Sequence, residues 1–265
     1  MPKITHRPRK RFGQNFLENQ HVIQSILQSL HLQASDNVLE IGPGLGALTK
    51  PLLNILTKLT AIEIDTDLHA HLIAMPVSQD KLTVICADAL TINYNELPIN
   101  TRIIGNLPYN ISTPLLLRLL AGLDSIEDMH FMLQKEVVDR LSASPGCKAY
   151  GRLSVMAQYY CDVESLFDVA AESFRPVPRV ESSVVRLTPW RPGKYPEVAF
   201  NDLERVVACA FSMRRKTLAN NLKPWCAAQK LQEIGIDPGL RPEQLQILDY
   251  VHLTQALGYL SLQHM

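Results

Sequence analysis

The segment GNLPYN, residues 105–110, combines an amide, a proline-restricted backbone and an aromatic ring at the end of a short apolar run. Asn106 offers a side-chain carbonyl as an acceptor, and Leu107 offers a backbone carbonyl that Pro108 holds in an extended geometry. Two converging acceptors suit a planar NH2 group, and the ring of Tyr109 offers a face for a stacked base. The segment predicts a site that holds an amino group on a base, with a plain Asn–Pro turn as the alternative.

A glycine-rich turn, EIGPGLG at residues 40–46, follows the first predicted strand. Gly42 and Gly44 allow the backbone to come close to a ligand, and a helix that begins there offers free N–H groups. Glu63 ends the second predicted strand, about 20 residues further on, where an acid bonds the hydroxyls of a ribose. These residues predict a nucleoside-bearing cofactor, for which NAD fits nearly as well at this point.

Asp88 closes the third predicted strand in the segment CADAL. Ligands of parallel sheets lie across the carboxyl ends of the strands, so this carboxylate is placed to accept a hydrogen bond from the exocyclic amine of an adenine. A simple turn role for Asp88 is the alternative.

Strands and helices alternate along most of the chain, which predicts βαβ units and a parallel α/β sheet covered on both faces. The predicted strands are 37–42, 59–65, 82–89, 101–106 and 128–134, and the predicted helices are 46–56, 66–75, 112–122 and 135–143. Segments 163–170 and 182–189 can pair as strands at the end of this sheet, around a proline-rich stretch at 174–180. Beyond a linker near 190 the pattern is helical only, at about 201–213, 214–226, 227–234 and 243–262.

The composition of the 265 residues, with 46% hydrophobic and 20% charged, is that of a globular protein with a sizeable core. No apolar run is long enough for a membrane span, and the N-terminus lacks a secretory signal, so we expect a cytoplasmic protein. Five scattered cysteines without a CxxC pair indicate neither a disulfide framework nor a zinc site, and we expect no metal.

Basic charge is concentrated at the two ends of the chain. Residues 1–17 carry a net charge of +5, residues 18–189 carry −7 and residues 190–265 carry +2. The two clusters are Arg7, Arg9, Lys10 and Arg11 near the start, and Arg214, Arg215 and Lys216 on a predicted helix. This asymmetry favours phosphate binding by the two clusters, with solvated surface as the alternative.

The motifs GQNFL, EIGPGLG, ADA and GNLPYN, with Glu63 between them, occur in an order that resembles the ribosomal RNA adenine dimethyltransferases of the KsgA family. The likeness continues through DMHFMLQKEV, YGRLSVMAQYY, FRPVPRVESSVVRL and AFSMRRKTLANNL, and so covers nearly the whole chain. It implies a Rossmann-like class I methyltransferase sheet, mostly parallel with an antiparallel end hairpin, plus a small all-helical C-terminal domain. The implied domains are a basic arm at 1–17, a methyltransferase domain at 18–189 and a helical RNA-binding domain at 190–265.

The resemblance also implies the cofactor, S-adenosyl-L-methionine, and the roles of individual residues. The cofactor would be bound by Gln14, Asn15, Leu17, Gly42, Gly44, Glu63, Ile64, Asp88, Ala89 and Asn106. The target adenine would be held by Asn106, Leu107, Pro108 and Tyr109, with Phe174 against its other face.

The substrate that the resemblance implies is two adjacent adenosines near the 3′ end of small-subunit ribosomal RNA, inside the small subunit or a late precursor. A dehydrogenase has no use for GNLPYN, a DNA methyltransferase would need a recognition domain, and a protein methyltransferase would not need basic ends. Two alternatives stay open: methylation of a single adenine in large-subunit RNA, and an assembly factor whose binding matters more than its catalysis. We expect a monomer without membrane association.

Overall fold

The computed structural model describes residue 9, residues 13–76 and residues 80–257. The predicted phosphate-binding residues Arg7, Lys10 and Arg11 lie outside the described residues. The chain divides into two compact units. The first extends to Val138 and includes Glu164–Pro189, and the second comprises Asp139–Val163 and the chain from Trp190.

The first unit is built on a seven-stranded sheet, in which the predicted α/β pattern is confirmed. Its strands are β2 (Asn37–Ile41), β3 (Leu59–Glu63), β4 (Leu82–Cys86), β5 (Thr101–Asn106), β6 (Ile126–Gln134), β7 (Cys161–Val169, of which the first three residues are assigned to the second unit) and β9 (Ser182–Pro189). They are ordered β4-β3-β2-β5-β6-β9-β7. The five strands from β4 to β6 are parallel, whereas β9 runs antiparallel to β6 and lies next to β7. The carboxyl ends of β2, β3 and β5 therefore meet at one edge.

Helices cover this sheet because apolar residues recur at helical spacing between the strands. They are α1 (Gln20–Leu30), α2 (Thr49–Ile55), α3 (Thr66–Ile73), α4 (Ser112–Leu120) and α5 (Lys135–Leu141), of which the last runs past the end of the first segment of this unit. The side chain of Asn19 caps α1 by accepting from the N–H groups of His21 and Val22. One face of α1 is buried in the hydrophobic core with the side chains of α2.

A two-stranded sheet of β1 (Phe16–Leu17) and β8 (Phe174–Arg175) attaches the N-terminal motif to the proline-rich segment. Leu17 pairs with Phe174, and the Glu18 N–H donates to the Ser173 carbonyl at 2.9 Å. Neither strand was predicted, since two residues are too few to show a period.

The second unit is mostly helical. Its helices are α6 (Arg152–Tyr160), α7 (Phe200–Ala210), α8 (Leu218–Leu222), α9 (Ala228–Glu233) and α10 (Ile247–Leu257). They bury a core that includes Leu203, Val207 and Leu222. The Tyr250 hydroxyl in this core donates to the Pro242 carbonyl at 2.6 Å.

The observed helices of this unit differ from the predicted ones in two places. The predicted helix at 214–226 was wrong, since only Leu218–Leu222 is helical, and Arg214, Arg215 and Lys216 lie on the exposed turn before it. Helix α6 was not predicted from the pattern. It belongs to the second unit, whereas we expected residues 18–189 to form one domain, and the domain boundaries stay a prediction. No helix in the described ranges is long and apolar enough to cross a membrane.

Candidate functional site

A cavity of about 320 Å³ opens at the carboxyl edge of β2, β3 and β5 in the first unit. It brings together every residue that we expected to bind a cofactor or a target base. The lining includes Gln14, Asn15, Leu17, Gly42, Gly44, Glu63, Ile64, Asp88, Ala89, Asn106, Leu107, Pro108, Tyr109 and Phe174. Residues separated by up to 160 positions in the sequence thus share one site, while their individual roles stay predictions.

The glycine turn needs residues without a side chain. Gly42 and Gly44 have φ values of +68° and +58°, in the left-handed region that glycine tolerates. A Cβ atom on Gly44 would lie 3.1 Å from the ring of Phe16, which leaves little room for a side chain. The Gly42 N–H donates to the Ile62 carbonyl at 2.9 Å and so ties the turn to β3. Helix α2 begins at Thr49, three residues later than predicted.

Glu63 presents a fixed carboxylate at the end of β3. One oxygen accepts from the Asp65 N–H at 2.9 Å and the other from the Gly44 N–H at 3.1 Å. Burial raises the pKa of Glu63, and the two backbone N–H groups act against this rise by stabilising the charge. A buried carboxylate oriented in this way fits the hydroxyls of a ribose, which donate to its free lone pairs.

Asp88 combines the two roles that the sequence left open. Its Oδ1 accepts from the Leu90 N–H at 2.9 Å and thereby caps the short 3-10 helix Ala89–Thr91. Its Oδ2 is not bonded by any residue that the structure describes, and the side chain lines the cavity. A carboxylate oxygen at this place is suited to the exocyclic amine of an adenine.

The segment at the end of β5 offers hydrogen-bond acceptors, which an amine needs for its N–H groups. The Asn106 Nδ2 donates to the Asn15 carbonyl at 3.1 Å, so the Oδ1 of the same amide faces away from Asn15 as an acceptor. The Leu107 N–H donates to the Met132 carbonyl at 3.2 Å, and the Leu107 side chain is fully buried. Gly105 allows this tight path, because a Cβ there would lie 2.6 Å from the Ile41 carbonyl oxygen.

Two aromatic side chains line the same cavity. Tyr109 is half-buried, and its hydroxyl lies 3.1 Å from the Oγ of Ser182, the first residue of β9. Phe174 is 1% exposed and belongs both to the cavity wall and to the hydrophobic core. Sequence reasoning missed Ser182, since nothing in a serine at a strand start distinguishes it from the neighbouring Ser183.

Three polar side chains, Arg9, Gln14 and Asp65, form a group that we call the arm latch. Arg9 Nη1 lies 3.1 Å from Oδ1 of the buried Asp65, and Gln14 Nε2 donates to Asp65 Oδ2 at 3.1 Å. The backbone N–H of Arg9 donates to the Gln14 Oε1 at 2.8 Å. Arg9 also pairs with Asp67. Its guanidinium therefore contacts carboxylates here, and the phosphate contact expected of it stays a prediction.

Glu40, within the glycine motif, is a further cavity residue that sequence reasoning did not single out. It is 2% exposed, and its Oε2 has no hydrogen-bond partner among the described residues. Burial raises the pKa of Glu40 to about 7, and the nearby Glu63 charge adds to the rise. The signal was present in NVLEIG, where one acid interrupts an apolar strand.

The model of a family described as "Ribosomal RNA adenine dimethylase" matches residues 5–258. A protein of Legionella pneumophila (strain Corby) named "Ribosomal RNA small subunit methyltransferase A" is 58% identical over 96% of this chain and 100% of that protein. A protein of the same name from Nitrosococcus oceani is 51% identical, over 96% and 98% of the two chains.

Solved structures agree with the fold. A dimethyladenosine transferase from Plasmodium falciparum has a TM-score of 0.78 and 26% identity, over 90% of this chain and 95% of that one. The 23S rRNA methyltransferase ErmE has a TM-score of 0.71 and 24% identity, over 92% and 100%, which shows a shared fold alone. The predicted methyltransferase fold class is confirmed.

Proposed function

The chain belongs to the ribosomal RNA adenine dimethylase family, and on that premise we propose how its cavity does the chemistry. The protein is an S-adenosylmethionine-dependent methyltransferase that converts adenosines of small-subunit ribosomal RNA to N6,N6-dimethyladenosine. The observation that carries the proposal is the amide of Asn106, whose donor end is used by Asn15 and which lines a cavity together with the oriented carboxylate of Glu63.

We propose that the cavity has a cofactor side and a target side. On the cofactor side, Glu63 would hold the ribose hydroxyls, Asp88 the adenine amine, and the turn at Gly42 and Gly44 would pass beside the methionine part. Gln14, Asn15 and Leu17 would close over it, while Ile64 and Ala89 would flank the adenine. The fit rests on the two N–H groups that orient Glu63 and on the space that Gly44 leaves beside Phe16. When bound, the cofactor supplies an electrophilic sulfonium methyl group.

On the target side, the carbonyl oxygens of Asn106 and Leu107 would accept from the two N–H bonds of the adenine amine. The lone pair of such a nitrogen is delocalised into the ring, which makes it a poor nucleophile. Two acceptors favour the tetrahedral nitrogen, in which the lone pair is released from the ring, without a strong base. Tyr109 and Phe174 would hold the base between them, and their faces would stabilise positive charge on the nitrogen before it loses a proton.

The decisive experiment is methyl transfer to small ribosomal subunits that lack this modification, with labelled S-adenosylmethionine and nucleoside analysis of the digested RNA. We expect N6,N6-dimethyladenosine with the unaltered protein and a loss of at least about 100-fold in rate for Asn106→Ala. Asn54→Ala, which removes an exposed amide from α2, is the matched control and should retain full activity.

The outcomes of this experiment separate the alternatives. If the label appears in large-subunit RNA and not in small subunits, the proposed cofactor binding stands, but the assignment of small-subunit RNA as the substrate is refuted. If Asn106→Ala still binds immature subunits and supports their assembly in cells, the binding role is separable from catalysis.

We further propose that the partner is the RNA inside the small subunit or a late precursor, and that the protein acts as a cytoplasmic monomer. Exposed Arg214, Arg215 and Lys216 on the turn before α8 support phosphate binding by the second unit. Binding should then weaken steeply as salt concentration rises. Light scattering of the purified protein tests the monomer, and cell fractionation tests the location.

A further inference from the structure

The segment Arg175–Glu181, which we call the rim loop, exposes apolar and basic side chains together. Val177 and Val180 are 50% and 44% exposed, although both are large hydrophobic residues. Arg175 and Arg179 beside them are also exposed. Neither the fold nor the proposed roles of the cavity residues accounts for this combination.

Both ends of the rim loop are attached to the walls of the target side. Its first residue follows Phe174, which lines the cavity and pairs with Leu17 across the two-stranded sheet. Its last residue, Glu181, accepts from the Lys135 N–H at 3.0 Å and precedes Ser182, which contacts the Tyr109 hydroxyl. A chain of this length can extend at most ~12 Å from its anchors before it must return. Whatever binds the loop therefore lies beside the entrance for the target base.

The charge of the rim loop is opposite to that of the sequence around it. Two arginines and one glutamate give it a net positive charge, in a segment of residues 18–189 whose net charge is −7. The Nη1 of Arg175 donates to the Glu172 and Phe174 carbonyls at 3.3 and 2.9 Å, and its Nε lies 3.9 Å from a carboxylate oxygen of Glu18, which together hold this guanidinium at the loop base. Arg179 has no hydrogen-bond or ion-pair partner among the described residues. An uncompensated cation of this kind is available to a polyanion.

We infer that the rim loop binds the RNA strand immediately beside the target adenosine. Arg175 and Arg179 contact backbone phosphates, and Val177 and Val180 pack against the sugar or base of a neighbouring nucleotide. The apolar contact suits a strand whose bases are unstacked, which a target adenosine must be to enter the cavity. The inference rests on the RNA-modifying function and adds a specificity element to it, since the loop holds a neighbouring nucleotide rather than the target.

The test measures kcat/KM for unmodified small subunits at several salt concentrations with Arg179→Ala and Val180→Ala. Lys58→Ala removes an equally exposed charge from the turn before β3, at the opposite edge of the sheet, and is the matched control. We expect Arg179→Ala to reduce kcat/KM about fivefold at low salt. It should also make the slope of log(kcat/KM) against log salt shallower by about 0.7, the value for one lost contact to single-stranded RNA. Val180→Ala should raise KM up to about tenfold with the slope unchanged.

Arg179→Ala with the wild-type kcat/KM and slope, or Val180→Ala with the wild-type KM, would overturn the inference, provided that the unaltered protein methylates the subunits. An effect of Arg179→Ala on kcat/KM without a change of slope would also overturn it, because that pattern indicates a contact with a ribosomal protein or a folding defect. The KM for S-adenosylmethionine should stay the same in all variants. An unaltered protein that methylates no subunit at all would refute the proposed function instead, so the two failures are distinguishable.

Discussion

Replacing the buried carboxyl of Glu40 by an amide should change how protein stability depends on pH. Burial, with the neighbouring Glu63, raises the pKa of Glu40 from 4.5 to about 7. Between these values the folded protein keeps a proton that the unfolded chain releases, so the free energy of unfolding falls as pH rises from about 4.5 to 7. The shift corresponds to about 3 kcal/mol in total, with little further change above pH 7. Glu40→Gln cannot ionise at this position, so its free energy of unfolding should not show this decrease.

Urea unfolding followed by circular dichroism at pH 5, 6, 7 and 8 measures the effect. The difference between Glu40→Gln and the unaltered protein should grow by about 2–3 kcal/mol in favour of the variant between pH 5 and pH 8, since a part of the total is already lost at pH 5. The pKa of Glu63 is also raised by burial, but Glu63 is present in both proteins. Subtracting one free energy of unfolding from the other therefore removes its contribution. Glu127→Gln removes an exposed carboxyl from β6 and is the control. Its free energy of unfolding should depend on pH in the same way as that of the unaltered protein.

Parallel curves for Glu40→Gln and the unaltered protein would refute the argument, because they would mean that Glu40 is not held protonated by burial. The cavity gives a second readout of the same group. Glu40 lines the cavity in which we propose that the positively charged cofactor binds, and a nearby cation favours the ionised carboxyl. Affinity for S-adenosylmethionine should therefore fall as pH decreases below 7, and Glu40→Gln should remove this dependence.

Two more predictions concern side chains that hold the cavity in shape. Asp65→Asn keeps the cap on α3, since an amide oxygen can still accept from the Asp67 N–H, but it removes the charge that pairs with Arg9. It should raise the KM for S-adenosylmethionine by about tenfold in initial-rate assays, whereas exposed Asp124→Asn should not. Ser182→Ala removes the partner of the Tyr109 hydroxyl and should lower kcat severalfold. If this bond is the cause, adding Tyr109→Phe to Ser182→Ala should lower kcat no further, and a double-mutant cycle measures this.

Much of the site could be predicted because its residues follow apolar runs that form buried parallel strands. The strand that ends at Asn106 has the predicted bounds, and the strands that end at Ile41 and Glu63 differ from their predicted bounds by one and two residues. When three such strands are parallel, their ends must share an edge, so the cavity follows from the order of elements. The same logic gives no information on a long side chain such as that of Arg9.

The remaining features depend on contacts between distant segments. The arm latch joins Arg9 to Asp65, and no local period marks either residue as its partner. The predicted helix at 214–226 failed because local pattern ignores tertiary hydrogen bonds. Asn221, fully buried, donates through its Nδ2 to the Ala210 and Met213 carbonyls, which fixes a turn between α7 and α8 where the pattern continued as a helix.

The bond between Asn106 and Asn15 gives a physical reason for an amide in the segment that we propose to hold the target adenine. An amide has one donor end and one acceptor end, and the donor end is used by the Asn15 carbonyl at 3.1 Å. An aspartate at position 106 would place a negative oxygen against that carbonyl oxygen, and an alanine would leave no acceptor for an amine. Asn15 belongs to the motif that also lines the cofactor side of the cavity. Asn15 therefore orients the amide of Asn106, so a change that displaces Asn15 should impair the proposed binding of the amine as well as that of the cofactor.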